Sequence, residues 1–460
     1  MKLKALNIFI GLFIAACGIT SCLDSDYTEY EYSANSSITA FSITDSIVTH
    51  YSAVVDDIDT TLTTAVVGTD YPFVINQNEG LIYNPDSLPV GTDITKVVVG
   101  ITADTQGIYI VADKDTLWQE TDSLNFEKPV QFKVLSEMGT FGRVYTAKIN
   151  VHQQDPELLS WKKFESNFNK EITEQKAVYL NNCIYVFGLQ NEQAVVTKAQ
   201  TTDGNTWSEP VRIATPVEAD ITSAMVWGNQ IYILAGNELY TSQDAESWEK
   251  VATSTNFRQL VANISADKQK KIIGVDTENH YVESNDGITW AQYGEMPEGF
   301  PASRLSSASY ALDTNKDIQR VVVIGDNGVA SDTIAVTWSQ LHSENNWTDL
   351  PAPNNSDACP KFENISMIHY NNMLYAFGGY AQHEEEIEPF SCLYESKDNG
   401  ITWEITSEKI AFPEEFPTIY EASKGNYSCT MDDNHYIWIM WSQTGEVWRG
   451  RINKLGFERQ

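Results

Sequence analysis

The stretch YESKDNGITWEI (394–405) ends a hydrophobic strand, makes a short polar turn and closes on Thr-Trp. VESNDGITWAQY (282–293) repeats it almost letter for letter, QTTDGNTWSEP (200–210) is a relative, and YTSQDAESWEKV (240–251) is a degenerate copy. HSENNW (342–347) keeps little beyond the tryptophan. Trp207, Trp248, Trp290, Trp347 and Trp403 therefore fall 41, 42, 57 and 56 residues apart. A second signature precedes the phrase: AVYLNNCIYVFG (177–188), AMVWGNQIYILAG (224–236) and MIHYNNMLYAFGG (367–379). LVANISADKQKKIIGV and ASYALDTNKDIQRVVVIG are looser copies of it. Two signatures in fixed order, at a period of several short strands with few helical stretches, predict a β-propeller. Each unit reads as strand a, a tight turn, strand b, a loop, strand c, the polar turn, then strand d near the tryptophan.

Ser396, Asp398, Gly400 and Trp403, and the shorter set Ser284, Asp286, Gly287 and Trp290, resemble the Asp-box of sialidase-like propellers. In that resemblance Ser and Asp side chains cap backbone amides in the c–d turn, Gly takes a permissive conformation and Trp packs between blades. The strand-b signature is similar to kelch repeats. Asp-boxes lie away from the ligand mouth in the families that carry them, so the motif implies no enzymology. After Trp403 one further a–b–c set follows (NYSCTMDD, NHYIWIMWS, GEVWRGRINKLGF) with no strand d. ELLSWKKFES (157–166) offers the missing strand, because its Ser160-Trp161 stands where Thr-Trp stands elsewhere. Closure by that strand would remove exposed sheet edges and gives six blades over 157–460.

Upstream the pattern changes. MKLKALNIFIGLFIAACGITSC has Lys2 and Lys4, a short apolar run and small residues before a cysteine, which reads as an export signal over 1–21. Ile19-Thr20-Ser21-Cys22 resembles a bacterial lipobox, making Cys22 the lipidated mature N-terminus; IAAC (14–17) is a competing match. The acidic tether of residues 22–36 resembles the surface-export signal of Bacteroidetes-type lipoproteins, which implies an outer-membrane, cell-surface location. Residues 37–153 alternate with period two, as in Val130, Phe132 and Val134, and predict an immunoglobulin-like β-sandwich. The fold class is all-β throughout.

A net charge of −33 sets a negative field against every phosphate contact and argues against nucleic acid as a partner. The seven histidines are scattered and no CxxC pair occurs, so neither a metal nor a cofactor is predicted. Cys392–Cys429 is one pairing open to an exported chain, while Cys183 reads as a buried small hydrophobe. The acidic run HEEEIE (383–388) reads as a solvated loop. No phosphate-cradling glycine loop or G-x-S-x-G elbow is present, and nothing among 63 acids selects a catalytic pair. Of the propeller arginines only Arg258 and Arg304 precede an innermost strand, so the sialidase-type arginine triad is not predicted. The loops leading into each strand a, aligned by repeat, place Asp220, Arg258, Arg304, Lys361 and Lys424 at the central mouth, with Trp441 at the end of a strand b. Cations and aromatics in one ring suit a polar ligand such as a glycan.

The whole layout is similar to an uncharacterised family of Bacteroidetes-type surface lipoproteins carrying an immunoglobulin-like domain and an Asp-box/kelch-like propeller. That resemblance implies membrane attachment through an N-terminal lipid and a binding or adhesion role, with a glycan or surface protein as ligand. The competing expectation is a sialidase-like surface glycosidase or lyase.

Overall fold

The computed structural model describes residues 32–55, 58–266, 269–301, 303–382 and 387–456. The signal, Cys17, Cys22 and most of the acidic tether lie outside the described residues, as do residues 383–386 of the acidic run. The chain divides into two compact units, the second spanning Asp155–Arg459.

In the first unit, Ile38–Ile43, Val97–Ala103 and Ser123–Leu124 form a three-stranded sheet. A six-stranded sheet contains the antiparallel pair Val130–Leu135 and Phe141–Lys148, and Leu81–Tyr83 joins the latter strand in parallel. Phe41, Val97 and Val99 from the first sheet meet Phe132, Val134 and Tyr145 from the second in one buried core. Alternation is the cause: Phe132 and Val134 face inward while Gln131 and Lys133 face out. A separate long hairpin pairs Ser46–Val55 with Ile58–Val67.

The second unit contains six four-stranded antiparallel sheets among the described residues. The first runs Thr173–Leu180, Cys183–Gln190, Gln193–Gln200 and Val211–Arg212. The second to fifth repeat this order, their innermost strands being Ala219–Trp227, Phe257–Ile264, Ser303–Ala311 and Ser366–Tyr370. In the sixth, Tyr427–Met431, Ile437–Trp441 and Glu446–Ile452 are joined by Leu159–Phe164 from the other end of the chain. That pairing runs in unbroken antiparallel register from Leu159 opposite Ile452 to Phe164 opposite Val447. The innermost strand of the first sheet touches those of both the second and the sixth, and contact continues from the second to the fifth. Ser366 and Tyr427 join fifth to sixth through hydroxyls 3.2 Å apart.

The recurrent tryptophan follows from the turn it closes. At 396–403 the Ser396 hydroxyl accepts from Gly400 N–H (2.8 Å), while Asp398 Oδ1 accepts from Ile401 N–H (3.1 Å) and Thr402 N–H (2.9 Å). Gly400 sits at φ 99°, where a Cβ would meet Thr337 at 2.9 Å, so this position requires glycine. The Trp403 indole then donates to the Gly400 carbonyl at 3.2 Å. The same bond recurs from Trp207 to Gly204 (3.2 Å), Trp290 to Gly287 (3.3 Å) and Trp248 to Ala245 (3.1 Å). Ser284 and Asp286 cap their turn in the same way, with Gly287 N–H and Thr289 N–H as donors at 2.8 and 2.7 Å. In the degenerate copy Ala245 holds the left-handed position at φ 60°, strain that a glycine would not carry.

Candidate functional site

In every sheet of the second unit, the a–b and c–d turns lie at one end and the b–c and d–a connections at the other, because successive strands are antiparallel. The tryptophan turns occupy the first end. At the second end, connections in the first three sheets are short, whereas residues 327–335, 350–365, 378–393 and 406–426 are long insertions clustered on sheets four to six. Insertions of this kind, held on a rigid sheet scaffold, are where binding residues concentrate.

The insertions enclose a cleft of 380 Å³ between the fourth and fifth sheets. Its walls come from the end of Gln319–Asp326, the 327–335 loop, the segment around Lys361–Ile365 and the chain at Tyr380–Ala381. Lys361–Phe362 and Ala381–Gln382 form a short two-stranded pairing that fixes one wall. Glu363 N–H donates to the Tyr380 carbonyl at 2.9 Å and Gly379 N–H to the Glu363 carbonyl at 2.7 Å, extending it. Lys361 Nζ pairs with Asp326 Oδ1 at 2.8 Å and donates to the Val329 carbonyl at 3.0 Å. Asp332 Oδ2 accepts from Asn327 Nδ2 at 2.8 Å, and Glu363 Oε2 from the Tyr420 hydroxyl at 3.4 Å. Among the described lining residues three carboxylates thus accompany one ammonium, a net acidic set.

Of the residues aligned to a central mouth, the structure brings only Lys361 into this cleft. Asp220 is exposed and folds onto its own strand, accepting from Thr222 N–H (3.0 Å) and Oγ1 (2.7 Å) beside a break in strand register. Arg258 is exposed, and its Nη1 donates to Asn279 Oδ1 at 2.6 Å. Arg304 lies on the innermost strand Ser303–Ala311, and its side chain is outside the described atoms. Lys424 is exposed just beyond the helix Phe416–Ala422, in a left-handed conformation at φ 53°. Trp441 requires correction. Expected at the rim, it is fully buried, with Phe390 and Phe416 rings 4.7 and 5.5 Å away and no partner for its indole N–H among the described residues. Phe390 and Phe416, one from each of the last two insertions, lie against it, so its chemistry is that of a core side chain.

Asp332, Glu363 and Tyr380 escape repeat-based reasoning because they stand in insertions that have no counterpart in the other sheets, and Asp326 ends the strand from which one of these insertions leaves. The usable signal is the excess length of two intervals, Trp290 to Trp347 and Trp347 to Trp403, at 57 and 56 residues against 41 and 42, which repeat spacing registers without locating a site. The four cysteines of the described residues, Cys183, Cys359, Cys392 and Cys429, are free thiols, and Cys183 is buried. No group of three metal-ligating side chains occurs among the described residues.

Residues 155–460 match the DUF6242 beta propeller domain, and residues 32–149 match the N-terminal domain of the same family, a domain of unknown function. No curated protein matches the chain. Among solved structures, a Trichoderma reesei protein of Carbohydrate-Active Enzymes Family AA12 aligns with 64% of this chain and 98% of its own, at 9% identity and a TM-score of 0.37. Virginiamycin B lyase from Staphylococcus aureus aligns with 76% of this chain and 96% of its own, at 10% identity and a TM-score of 0.34. A Xanthomonas campestris gluconolactonase covers 64% and 91%, at 8% identity and a TM-score of 0.37. Likenesses this distant carry no chemistry across.

Proposed function

The chain belongs to the DUF6242 family, and on that footing we propose that it is an exported, lipid-anchored surface protein that binds a ligand without transforming it. The observation that carries this reading is the gathering of four long insertions at one end of the second unit, three of which wall a polar cleft. Six four-stranded sheets with their inner strands in cyclic contact support a six-bladed propeller with Asp-box turns. Two sheets facing across one core support an immunoglobulin-like N-terminal unit, which would serve as a spacer. Cys22 would carry the lipid, anchoring the chain to the outer membrane, and the ligand would be a glycan or a surface protein.

Residues 23–460, screened on an oligosaccharide array and against a panel of reporter glycosides, test the proposal. Binding without turnover is the expected result. Turnover abolished by Asp332→Asn or Glu363→Gln would overturn it in favour of a surface glycosidase or lyase. In the native host, Cys22→Ala should release the protein from membranes; release by Cys17→Ala instead would move the anchor to that residue.

A further inference from the structure

The cleft carries one feature that its charges do not explain, an aromatic ring held open to solvent. Tyr380 is 39% exposed, yet it is fixed on two sides. Its hydroxyl donates to the carboxylate of Glu421 on the helix Phe416–Ala422, and its ring stands edge-on to Tyr420 with centroids 5.9 Å apart at 83°. Tyr420 can approach only because residue 379 is glycine. A Cβ there would lie 2.0 Å from the Tyr420 hydroxyl. A large apolar face immobilised before any ligand arrives loses little entropy on binding. Beside it, Glu363 and Asp332 present carboxylate oxygens, acceptors suited to the donor hydroxyls of a polyol.

We propose that this cleft takes a neutral pyranose unit of a glycan, its apolar ring face against Tyr380 and its hydroxyls donating to Asp332 and Glu363. The inference rests on the binding reading above and narrows it to a ligand class. Charge decides which sugars fit. Lys361 is already paired with Asp326 at 2.8 Å, so a uronic or sialic acid would bring a carboxylate to a site with two further carboxylates and no second cation among the described lining residues. Neutral hydroxyls meet no such penalty. The ring provides stacking area, and the flanking oxygens fix orientation.

The test compares residues 23–460 with Tyr380→Ala, Tyr380→Phe and Asp332→Asn on immobilised neutral oligomers of glucose, mannose, galactose and N-acetylglucosamine, and on galacturonate oligomers and sialyllactose. Wild type should bind at least one neutral oligomer and neither acidic probe. Tyr380→Ala should weaken that binding about three- to tenfold, the range of an aromatic contact. Tyr380→Phe, which keeps the face and loses only the bond to Glu421, should stay within about twofold, assigning the contact to the ring, and an unchanged Tm of Tyr380→Ala separates its loss from misfolding. Asp332→Asn keeps an acceptor and removes a charge, so it should narrow the discrimination against galacturonate. Binding confined to acidic probes would overturn the inference and leave the binding function standing. Neutral binding indifferent to Tyr380→Ala would overturn the inference alone, since the ligand would then sit elsewhere. Absence of binding to every probe would overturn this inference and point the binding function towards a protein ligand.

Discussion

The second unit is closed by one strand brought from its own beginning, and Phe164 is the side chain through which that closure can be measured. It is 6% exposed and stacks on Trp438 with centroids 5.2 Å apart and planes at 11°. It also packs against Gly204, where a Cβ would lie 2.8 Å from the ring, and the Arg449 guanidinium lies 5.1 Å from its centroid. Phe164→Ala deletes a ring gripped by the first and sixth sheets at once, so the cavity cannot collapse from one side. A buried Phe→Ala change costs about 3–5 kcal/mol, and loss of one of the rings under Arg449 adds about 0.5–1 kcal/mol. With ~2.1 cal/mol/K of unfolding entropy per residue and roughly 300 residues, that corresponds to a Tm drop of about 6–10 °C. Tryptophan fluorescence follows the relevant unit almost alone, because of the 12 tryptophans only Trp118 lies outside it. Thermal and urea unfolding of residues 23–460 should show the drop, with an unchanged urea slope. Phe141→Ala, at a ring 51% exposed in the first unit, is the control and should leave the fluorescence transition where it was. A loss below about 1 kcal/mol for Phe164→Ala would refute the view that the strand is clamped between two sheets.

Trp403 is 3% exposed whereas Trp290, in the same turn, is only partly buried; Trp403→Ala should cost about 3–5 kcal/mol and Trp290→Ala about half as much, read by urea midpoint. Asp398→Ala removes the acceptor for Ile401 N–H, Thr402 N–H and the Thr402 hydroxyl, and should cost about 1–2 kcal/mol by the same assay. His369 stacks on Tyr310 at 3.9 Å, and burial holds its pKa down at about 4. The unfolded chain takes up a proton near pH 6.5 that the folded one refuses, so this stabilisation is complete above pH 6.5 and fades as pH falls towards 4. About 2 kcal/mol should be lost over that window, after allowance for partial solvent screening, and His369→Phe, which keeps the stack, should remove that dependence.

What could be read from the sequence and what could not divides along the repeat. The tryptophan turns were legible because each places a chemical demand on fixed positions. Asp and Ser must accept amides, a left-handed residue must follow, and an indole must reach its carbonyl, as at Ser396, Asp398, Gly400 and Trp403. The same demand exposed a gap: the last unit had no strand d, and Leu159–Phe164 is the strand that fills it. The cleft obeyed no such rule, because an insertion is by nature what the other repeats lack. Aligning repeats to find a mouth selects positions that all sheets share, and apart from Lys361, which lines the cleft, the placed ones bond locally, such as Asp220 on Thr222 or Arg258 on Asn279. Trp441 shows the failure most sharply. Its repeat position puts it at the strand end where a rim should be, yet Phe390 and Phe416 from two insertions bury it. The insertion that hides Trp441 also supplies Tyr420 and Glu421, which hold Tyr380 open. Covering one aromatic and presenting another are two results of the same added chain, so the rim of this protein is defined by its departures from the repeat.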